Sequence, residues 1–174
     1  RAEAGCGTPS PRRDPLVIDL DGDGIETRTA QSGSHFDFDH DGFAERVGWV
    51  TPDDGLLVLD KNGDGLINDG TELFGDQTIL KNGQRAGNGF QALSELDGNK
   101  DRKIDEADPA FAQLMVWKDE NGDGQSSLTE LHCLSYLGIK SINLDAIIVN
   151  QTDSEGNTLT RGSVFERIDG TMGQ

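Results

Sequence analysis

The chain repeats a short acidic cluster five times, and this repeat limits what it can fold into more than any other feature. In each cluster an Asp, an Asp or Asn, and a further Asp are separated by single residues, and the clusters begin at Asp19, Asp37, Asp60, Asp97 and Asp119. Such alternation places three oxygen-bearing side chains on one side of a tight turn, which is how a loop surrounds Ca²⁺ with about six to eight oxygen ligands. The repeat therefore predicts a protein that binds two or more calcium ions, with an Asx-rich turn between strands as the alternative for each cluster.

The fifth and fourth clusters match the EF-hand loop best. The fifth loop offers candidate ligands at every required position, namely Asp119, Asn121, Asp123, the carbonyl of Gln125, Ser127 and the closing Glu130. The fourth loop offers Asp97, Asn99, Asp101, the carbonyl of Lys103, Asp105 and the closing Asp108. Its sixth position is Arg102 instead of the glycine that permits a sharp reversal, so we expect this loop to bind calcium more weakly than the fifth.

The other three clusters are less complete. The third loop offers Asp60, Asn62, Asp64, the carbonyl of Leu66 and Glu72, which falls one residue after the usual closing position. The first offers Asp19, Asp21 and Asp23, the second offers Asp37, Asp39 and Asp41, and neither has an acid at the closing position. A remote carboxylate such as Asp53, Asp54 or Asp76 would have to complete these two ligand shells.

Apolar spacing predicts different structures in different parts of the chain. Residues 88–138 have helical spacing, and we expect helices before the fourth loop, over residues 106–117 and over residues 127–137. The result would be an EF-hand-like pair whose two loops share the middle helix. Short β-branched or alternating segments predict strands within residues 15–80, and residues 141–168 predict a hairpin. The predicted fold is α+β: a β-rich N-terminal part with Asp/Gly calcium loops, the helical pair, and a C-terminal β-hairpin.

The charge balance narrows the class of partner. The 174 residues include 32 acidic and 15 basic ones, which gives a formal net charge of −17. Nucleic acid is a poor partner for this surface, because phosphate recognition requires clusters of Lys and Arg. No apolar stretch reaches the roughly 18 residues of a membrane span. We expect a monomeric module whose acidic loops repel one another until calcium neutralises them.

An Asp-Pro bond, Asp14-Pro15, joins a polar leader to the first predicted strand. The carboxylate of an Asp can attack its own main-chain carbonyl, closing a five-membered cyclic anhydride and releasing the proline nitrogen. Intramolecular placement of this kind is worth effective molarities of roughly 10⁵–10⁸ M when the geometry is held. The chain also contains Asp108-Pro109, where the aspartate is a predicted calcium ligand. By itself an Asp-Pro bond at a domain edge is ordinary.

Several motifs together resemble the self-processing module of the FrpC-like RTX proteins. They are the run from Asp14-Pro15 to Glu26-Thr27, Gly48-Trp49-Val50, Asp53-Asp54-Gly55-Leu56-Leu57-Val58, Gly70-Thr71-Glu72-Leu73-Phe74-Gly75 and Val116-Trp117-Lys118-Asp119. The resemblance covers about residues 14–145 and implies a calcium-binding module, residues 15–174, behind a flexible leader, residues 1–14.

This resemblance implies a function that the spacing alone does not. In that family calcium folds the module, which then cleaves the Asp-Pro bond at its own N-terminal edge. By position, Asp14 would be the nucleophile and electrophilic centre, Pro15 the new N-terminus, and Asp97, Asp108, Asp119 and Glu130 the ligands on which processing depends. The activated aspartate would be hydrolysed or captured by a lysine side chain of an acceptor protein. The reaction would be a single turnover in cis, in a module of a larger toxin-like protein exported by type I secretion.

Two alternatives compete with self-processing. A calcium module that does not cleave, and that rigidifies a secreted adhesin or toxin, explains the loops equally well. Residues 17–22, Val-Ile-Asp-Leu-Asp-Gly, also look like the nucleophile motif of haloacid-dehalogenase-like phosphatases. The phosphatase is disfavoured because the same Asp triplet recurs in loops that continue like EF-hands. The sequence also lacks the alternation of strands and helices that a doubly wound fold requires.

Overall fold

The computed structural model describes residues 15–31 and 34–174, so the leader with Asp14 lies outside the described residues. The described residues form short strands, one α-helix, α1 (Gly89–Ser94), and the 3₁₀ turns Gly70–Glu72 and Phe111–Gln113. The strands are β1 (Val17–Ile18), β2 (Thr27–Arg28), β3 (His35–Phe36), β4 (Glu45–Arg46), β5 (Trp49–Val50), β6 (Gly55–Val58), β7 (Lys103–Asp105), β8 (Met115–Trp117), β9 (Leu131–Cys133), β10 (Ile139–Asn143), β11 (Ile147–Thr152), β12 (Thr158–Gly162), β13 (Phe165–Arg167) and β14 (Met172–Gly173).

Two four-stranded antiparallel sheets organise these strands. The first has the order β1-β6-β8-β9, and the second has the order β14-β13-β10-β7. The remaining strands form the two-stranded pairs β2–β5, β3–β4 and β11–β12. Strand β6 is buried along its whole length, and a Cβ on Gly55 would clash with the side chain of Val116 on β8. The glycine therefore permits the close approach of the two central strands.

The core has two parts, which lie on opposite faces of β6. Leu57 packs into a mainly aliphatic cluster with Leu93, Ile104 and Val116, among others. Its neighbours on β6 point the other way, into a second cluster that contains four aromatic side chains: Phe36, Phe38, Trp49 and Trp117. The ring centroids of Trp49 and Trp117 are 5.4 Å apart in an edge-to-face arrangement. Alternation along one buried strand thus joins both halves of the core.

The predicted α+β fold with a helical EF-hand pair is wrong. Helix α1 does precede the fourth loop, but residues 106–117 form a 3₁₀ turn and β8, and residues 127–137 form turns and β9. Strand β8 lies between β6 and β9, and its residues Val116 and Trp117 are buried, as is Leu114 just before it. A short apolar run buried on both faces has no alternation to distinguish it from a helix. Pairing with two neighbouring strands therefore decides its conformation.

Strands β11 and β12, with the turn of residues 153–157 between them, form what we call the C-terminal ribbon (residues 147–162). Within the described part of the chain the ribbon pairs with no other strand. It leaves the second sheet after β10 and returns to it at β13. Among residues 15–31 and 34–174, no helix is both long and apolar enough to cross a membrane.

Candidate metal centre

All five acidic clusters form loops with one shared hydrogen bond. In each, the carboxylate of the first Asp accepts from the backbone N–H of the sixth residue. The pairs are Asp19–Gly24 at 3.1 Å, Asp37–Gly42 at 2.9 Å, Asp60–Gly65 at 2.8 Å, Asp97–Arg102 at 2.9 Å and Asp119–Gly124 at 2.9 Å. The loop shape therefore arises locally, from the short polar side chains of the repeat itself.

The five loops also share left-handed backbone at their fourth and sixth positions. The residues are Gly22 and Gly24, His40 and Gly42, Gly63 and Gly65, Lys100 and Arg102, and Gly122 and Gly124. Arg102 adopts a φ of 68°, close to the 71° of Gly124 at the equivalent position of the fifth loop. The fourth loop therefore has the common shape without the glycine, at a conformational cost of about 1–2 kcal/mol for a residue with a side chain.

The first loop is completed by a carboxylate from outside it. Carboxylate oxygens of Asp19, Asp21 and Asp54 all lie within 4.8 Å of one another. Asp54 is 1% exposed and accepts the backbone N–H groups of Leu20 (3.3 Å) and Glu26 (2.9 Å), one on each side of the loop. Burial raises the pKa of Asp54 to about 6, against the opposing effect of these two hydrogen bonds.

The other candidate residues of the first loop are placed differently. Asp23 is outside this carboxylate set, and the pKa of its exposed side chain is raised by a hydrogen bond to Asp21. Of the three remote acids proposed from the sequence, Asp54 lies in the set, whereas Asp53 and Asp76 do not. The turn before β6 carries Asp54, and the antiparallel pairing of β1 with β6 brings it to the loop that follows β1.

The second loop is completed by Glu45, which the sequence reasoning missed. Oxygens of Asp37, Asp39, Asp41 and Glu45 lie within 4.8 Å of one another. Glu45 lies on β4 opposite Phe36 and accepts the backbone N–H of Phe38 at 3.2 Å. It occupies the ninth position of the loop, which is a ligand position in the EF-hand. An acid at the ninth position, instead of the twelfth, is therefore the sequence signal that identifies Glu45.

Glu72 closes the third loop although it lies one residue late. Its buried carboxylate accepts the backbone N–H groups of Lys61 at 3.0 Å and Asn68 at 2.8 Å, on the two sides of the loop. The extra residue is accommodated by the 3₁₀ turn Gly70–Glu72, which Asp69 caps through the N–H of Thr71. The structure thus places Glu72 against the backbone of the third loop, but Asp60, Asp64 and Glu72 do not form a set of carboxylates within 4.8 Å of one another.

The closing residues of the fourth and fifth loops also reach back into their loops. Asp108 is buried and accepts the N–H groups of Gly98 (2.8 Å) and Asp105 (3.1 Å). Glu130 is buried and accepts the hydroxyl of Ser127 at 2.9 Å. Helix α1 precedes the fourth loop, but among the described residues no α-helix follows either loop, as one would in an EF-hand.

The donor chemistry of the loops fits Ca²⁺. Carboxylate, amide and main-chain carbonyl oxygens are the ligands that this hard cation prefers. Sets of three or more neighbouring carboxylates occur, within the described residues, in the first two loops. The third, fourth and fifth loops also contain three or more acidic residues each, but no three of their carboxylates lie that close together in the described residues. Each of these loops has an Asn at the third position, whose amide oxygen could serve as a ligand: Asn62, Asn99 and Asn121.

Pro15 lies at the other candidate site. It is half-buried and lines an apolar cavity of about 200 Å³. The next residue, Leu16, is held by two backbone hydrogen bonds, from its N–H to Phe74 (2.9 Å) and from the N–H of Leu57 to its carbonyl (3.0 Å). In the second Asp-Pro pair, both carboxylate oxygens of Asp108 accept backbone N–H groups.

Comparison with known proteins agrees with this description. The sequence matches the SPM domain family over residues 16–174. The chain belongs to the SPM domain family. This SPM domain is 49% identical over 160 residues to the iron-regulated protein FrpA of Neisseria meningitidis serogroup C. The alignment covers 91% of this chain and 14% of FrpA, so the SPM domain spans a small part of that relative's length.

These matches support the family predicted from the motifs. They do not favour the phosphatase alternative, and neither do the two main sheets, whose strand pairs are antiparallel. A doubly wound phosphatase would require parallel strands with helices between them. In the SPM domain, Asp19 instead shapes its own loop through the N–H groups of Gly22 and Gly24.

Proposed function

We propose that this SPM domain folds around calcium and then cleaves the Asp14–Pro15 bond of its own chain. The observation that carries the proposal is the position of Pro15. It lines a cavity immediately before β1, at the start of a domain that contains five loops of calcium-binding chemistry. The family match and the relationship to FrpA support the proposal.

The residues that would hold calcium fall into five groups. They are Asp19, Asp21 and Asp54, with Asp23 nearby; Asp37, Asp39, Asp41 and Glu45; Asp60, Asn62, Asp64, Leu66 and Glu72; Asp97, Asn99, Asp101, Lys103, Asp105 and Asp108; and Asp119, Asn121, Asp123, Gln125, Ser127 and Glu130. Bound calcium supplies charge neutralisation and folding free energy, because ligands gathered from distant residues exist only in the folded chain. Extracellular calcium modules have dissociation constants of roughly 10⁻⁴–10⁻³ M, which would keep the domain unfolded in a bacterial cytoplasm.

The bonds that form and break in the cleavage all belong to Asp14 and Pro15, and solvent supplies the proton. The Asp14 carboxylate attacks the Asp14 carbonyl carbon, and a C–O bond forms as the C–N bond to Pro15 breaks. The electron pair of that bond leaves with the Pro15 nitrogen, which takes up a proton to become the new N-terminus. The other product is a cyclic anhydride of the C-terminal aspartate. Water opens it to two carboxylates, or a lysine amine opens it to an amide and one carboxylate.

The described residues contribute by fixing the leaving group. The backbone bonds of Leu16 to Phe74 and Leu57, and the register of Val17 with Leu56, hold the chain that follows Pro15. Gly89 makes room for this arrangement, since a Cβ there would stand 2.6 Å from Leu16 Cγ and 2.5 Å from the Phe74 carbonyl oxygen. A held geometry is what raises an intramolecular reaction above its rate in a flexible chain.

Intact-mass measurement of the purified chain tests the proposal. With millimolar calcium we expect fragments of 14 and 160 residues, and without calcium a single uncut mass. Asp14→Ala should stay uncut in calcium while binding calcium normally, because it removes the carboxylate and leaves every loop intact. Cleavage of Asp14→Ala at the same bond would show that the chemistry is wrong. Cleavage at Asp108-Pro109 would show that the wrong bond was chosen.

A second candidate function is a structural calcium module that does not cleave. The loops favour it as strongly as they favour self-processing, because none of their contacts involves Pro15. An uncut wild-type mass with bound calcium would support it. Under either function we propose that the domain is a monomeric part of a larger secreted protein, and that a cross-linked acceptor, if formed, carries an Asp-Lys isopeptide bond.

A further inference from the structure

The tip of the C-terminal ribbon is hydrogen-bonded to β2. The Thr27 hydroxyl donates to the Asp153 carboxylate, and the Asn157 amide donates to Thr27 Oγ1 at 2.8 Å and to the Arg28 carbonyl at 3.2 Å. More than 120 residues of sequence separate the two sides of this contact. The ribbon is thus tied at its base to the second sheet and at its tip to the N-terminal part of the domain.

The tip is preshaped for this contact. The second oxygen of Asp153 accepts the N–H groups of Glu155 and Asn157, both at 2.9 Å, which closes the turn on itself. Below it, Gly48 leaves no room for a side chain, since a Cβ there would clash with Asn157 Oδ1. The tip of the ribbon therefore packs closely against the β2–β5 pair at Asn157.

Between its two ends the ribbon forms part of the cavity wall at Pro15. Val149 and Leu159 of the ribbon line the same cavity as Pro15 and Val17. The ribbon has no neighbouring strand among the described residues to hold it in this place. Its position over the cavity therefore depends on the contacts at its tip.

The surface on which the tip docks is itself held by two calcium loops. Thr27 pairs with Val50 and Arg28 with Trp49 in the β2–β5 pair. Beside Thr27, the N–H of Glu26 donates to Asp54 of the first loop at 2.9 Å. On the other strand, the indole N–H of Trp49 donates to Asp119 of the fifth loop at 2.7 Å.

We propose that the C-terminal ribbon is a latch, whose docking on β2–β5 closes the cavity around Pro15 once the first and fifth loops are ordered. The inference rests on the proposed function and adds its regulation. With the tip docked, Val149 and Leu159 complete the wall of the cavity that Pro15 lines. With the tip free, the wall opens and Pro15 loses its fixed surroundings, so cleavage slows while calcium still binds.

Asn157→Ala in the full chain tests the latch, with Ser154→Ala as the matched control. Ser154 lies in the same turn, and its hydroxyl donates a 3.4 Å hydrogen bond to the carboxylate of its neighbour Glu155, away from β2. In millimolar calcium we expect Asn157→Ala to speed amide hydrogen exchange across residues 147–162 roughly tenfold and to slow cleavage by a similar factor. Tryptophan emission should show that the millimolar calcium of the assay still saturates Asn157→Ala, although its calcium midpoint rises because docking and loop ordering are coupled. Ser154→Ala should match the wild type throughout. Faster exchange with an unchanged cleavage rate would overturn the latch.

Gly48→Ala provides an independent variant, because its Cβ would clash with Asn157 Oδ1 and push the tip away without changing a residue of the turn. The Cβ would also stand 3.1 Å from the Arg28 carbonyl oxygen, which accepts from the same Asn157. If it acts through Asn157, the double variant Gly48→Ala/Asn157→Ala should cleave no more slowly than Asn157→Ala alone. Two losses that multiply would overturn the latch. A wild-type chain that stays uncut in millimolar calcium would overturn the proposed function. Docking of the tip would then be tested by amide hydrogen exchange alone. If calcium fails to protect the amides of residues 147–162 from exchange, the docking is overturned as well.

Discussion

The indole N–H of Trp49 donates a 2.7 Å hydrogen bond to the carboxylate of Asp119, and both side chains are buried. The bond links the first position of the fifth loop to the aromatic core, in which Trp49 contacts Trp117 and Phe36. Since a buried carboxylate needs hydrogen-bond donors, the indole supplies what water would otherwise provide. Ordering of the loop and packing of the core are therefore coupled through one side chain.

This coupling predicts that Trp49→Phe is more damaging than Trp117→Phe. Removal of the Trp49 donor leaves the Asp119 carboxylate short of a partner, at a cost of about 1–3 kcal/mol in the free energy of unfolding. The indole N–H of Trp117 is buried and makes no hydrogen bond within the described residues, so its removal carries no such penalty. Urea unfolding in calcium, with the two variants matched in lost volume, measures the difference. Equal losses would mean that the Trp49 bond contributes nothing beyond packing.

The conformation of Arg102 predicts that Arg102→Gly stabilises the fourth loop. Arg102 has a left-handed backbone conformation, which costs a residue with a side chain free energy but which glycine adopts freely. The free energy of unfolding should rise by about 1 kcal/mol, after allowance for the greater entropy of glycine in the unfolded chain. The ion pair of Arg102 with Asp145 is exposed on both sides and contributes little. Thermal unfolding with and without calcium measures the change.

Gly65→Ala supplies the opposite test, since it places a side chain at the same position of the third loop. A Cβ there meets only Leu128 at 3.5 Å, an ordinary contact, so the loss should reflect backbone strain alone. A destabilised Arg102→Gly would contradict the expectation and would assign the ion pair a larger role.

The shape of the loops could be predicted from the sequence, whereas the elements between them could not. In each loop the first Asp accepts a hydrogen bond from a backbone N–H only five residues further along the chain. The local sequence is therefore enough to determine the shape of the loop. The expected helix over residues 106–117 failed because Val116 is buried by β6 and β9, which are distant in sequence. Long-range pairing overrides local apolar spacing in such a short segment.

The completing carboxylates show the same limit. Asp54 could be named only as one of three remote acids, since its approach to Asp19 depends on the β1–β6 register. Glu45 lies only eight residues beyond Asp37, at the ninth position of the loop, so the closing position of the EF-hand pattern does not identify it. Whether calcium fills each loop stays a prediction that binding measurements must answer.

The raised pKa of Asp54 predicts two opposite effects of pH. Burial raises the pKa of Asp54 from 3.8 to about 6, so the folded, calcium-free chain binds this proton more tightly than the unfolded chain. Its stabilising contribution is complete below the unfolded pKa and is lost as pH rises through about 6. Calcium at the first loop must displace the proton, so its affinity should fall as pH drops below about 6.

Calcium titrations by calorimetry at about pH 5.5 and about pH 7.5 check this dependence. Asp54→Asn should weaken the first loop and remove its share of the pH dependence. The control is Asp53→Asn, because Asp53 is exposed, lies next in sequence and is outside the carboxylate set. Its charge raises the pKa of Asp54 less than burial does, so this variant should keep most of the pH dependence. Equal pH dependence in the wild type and Asp54→Asn would assign the titration to another group.

The close approach of Gly89 to Leu16 predicts that Gly89→Ala slows cleavage without weakening calcium binding. A Cβ at this position stands 2.6 Å from Leu16 Cγ, and relief of that overlap moves the residue that follows Pro15. A displacement of about 1 Å at a reacting bond can reduce the rate roughly 10²-fold. Gly87→Ala is the matched control, since its Cβ would meet only the flexible end of Gln91 at 3.0 Å. Cleavage is followed by intact mass at a calcium concentration at which tryptophan emission shows both variants folded. A folded Gly89→Ala that cleaves at the wild-type rate would mean that the position of Leu16 does not control the reaction.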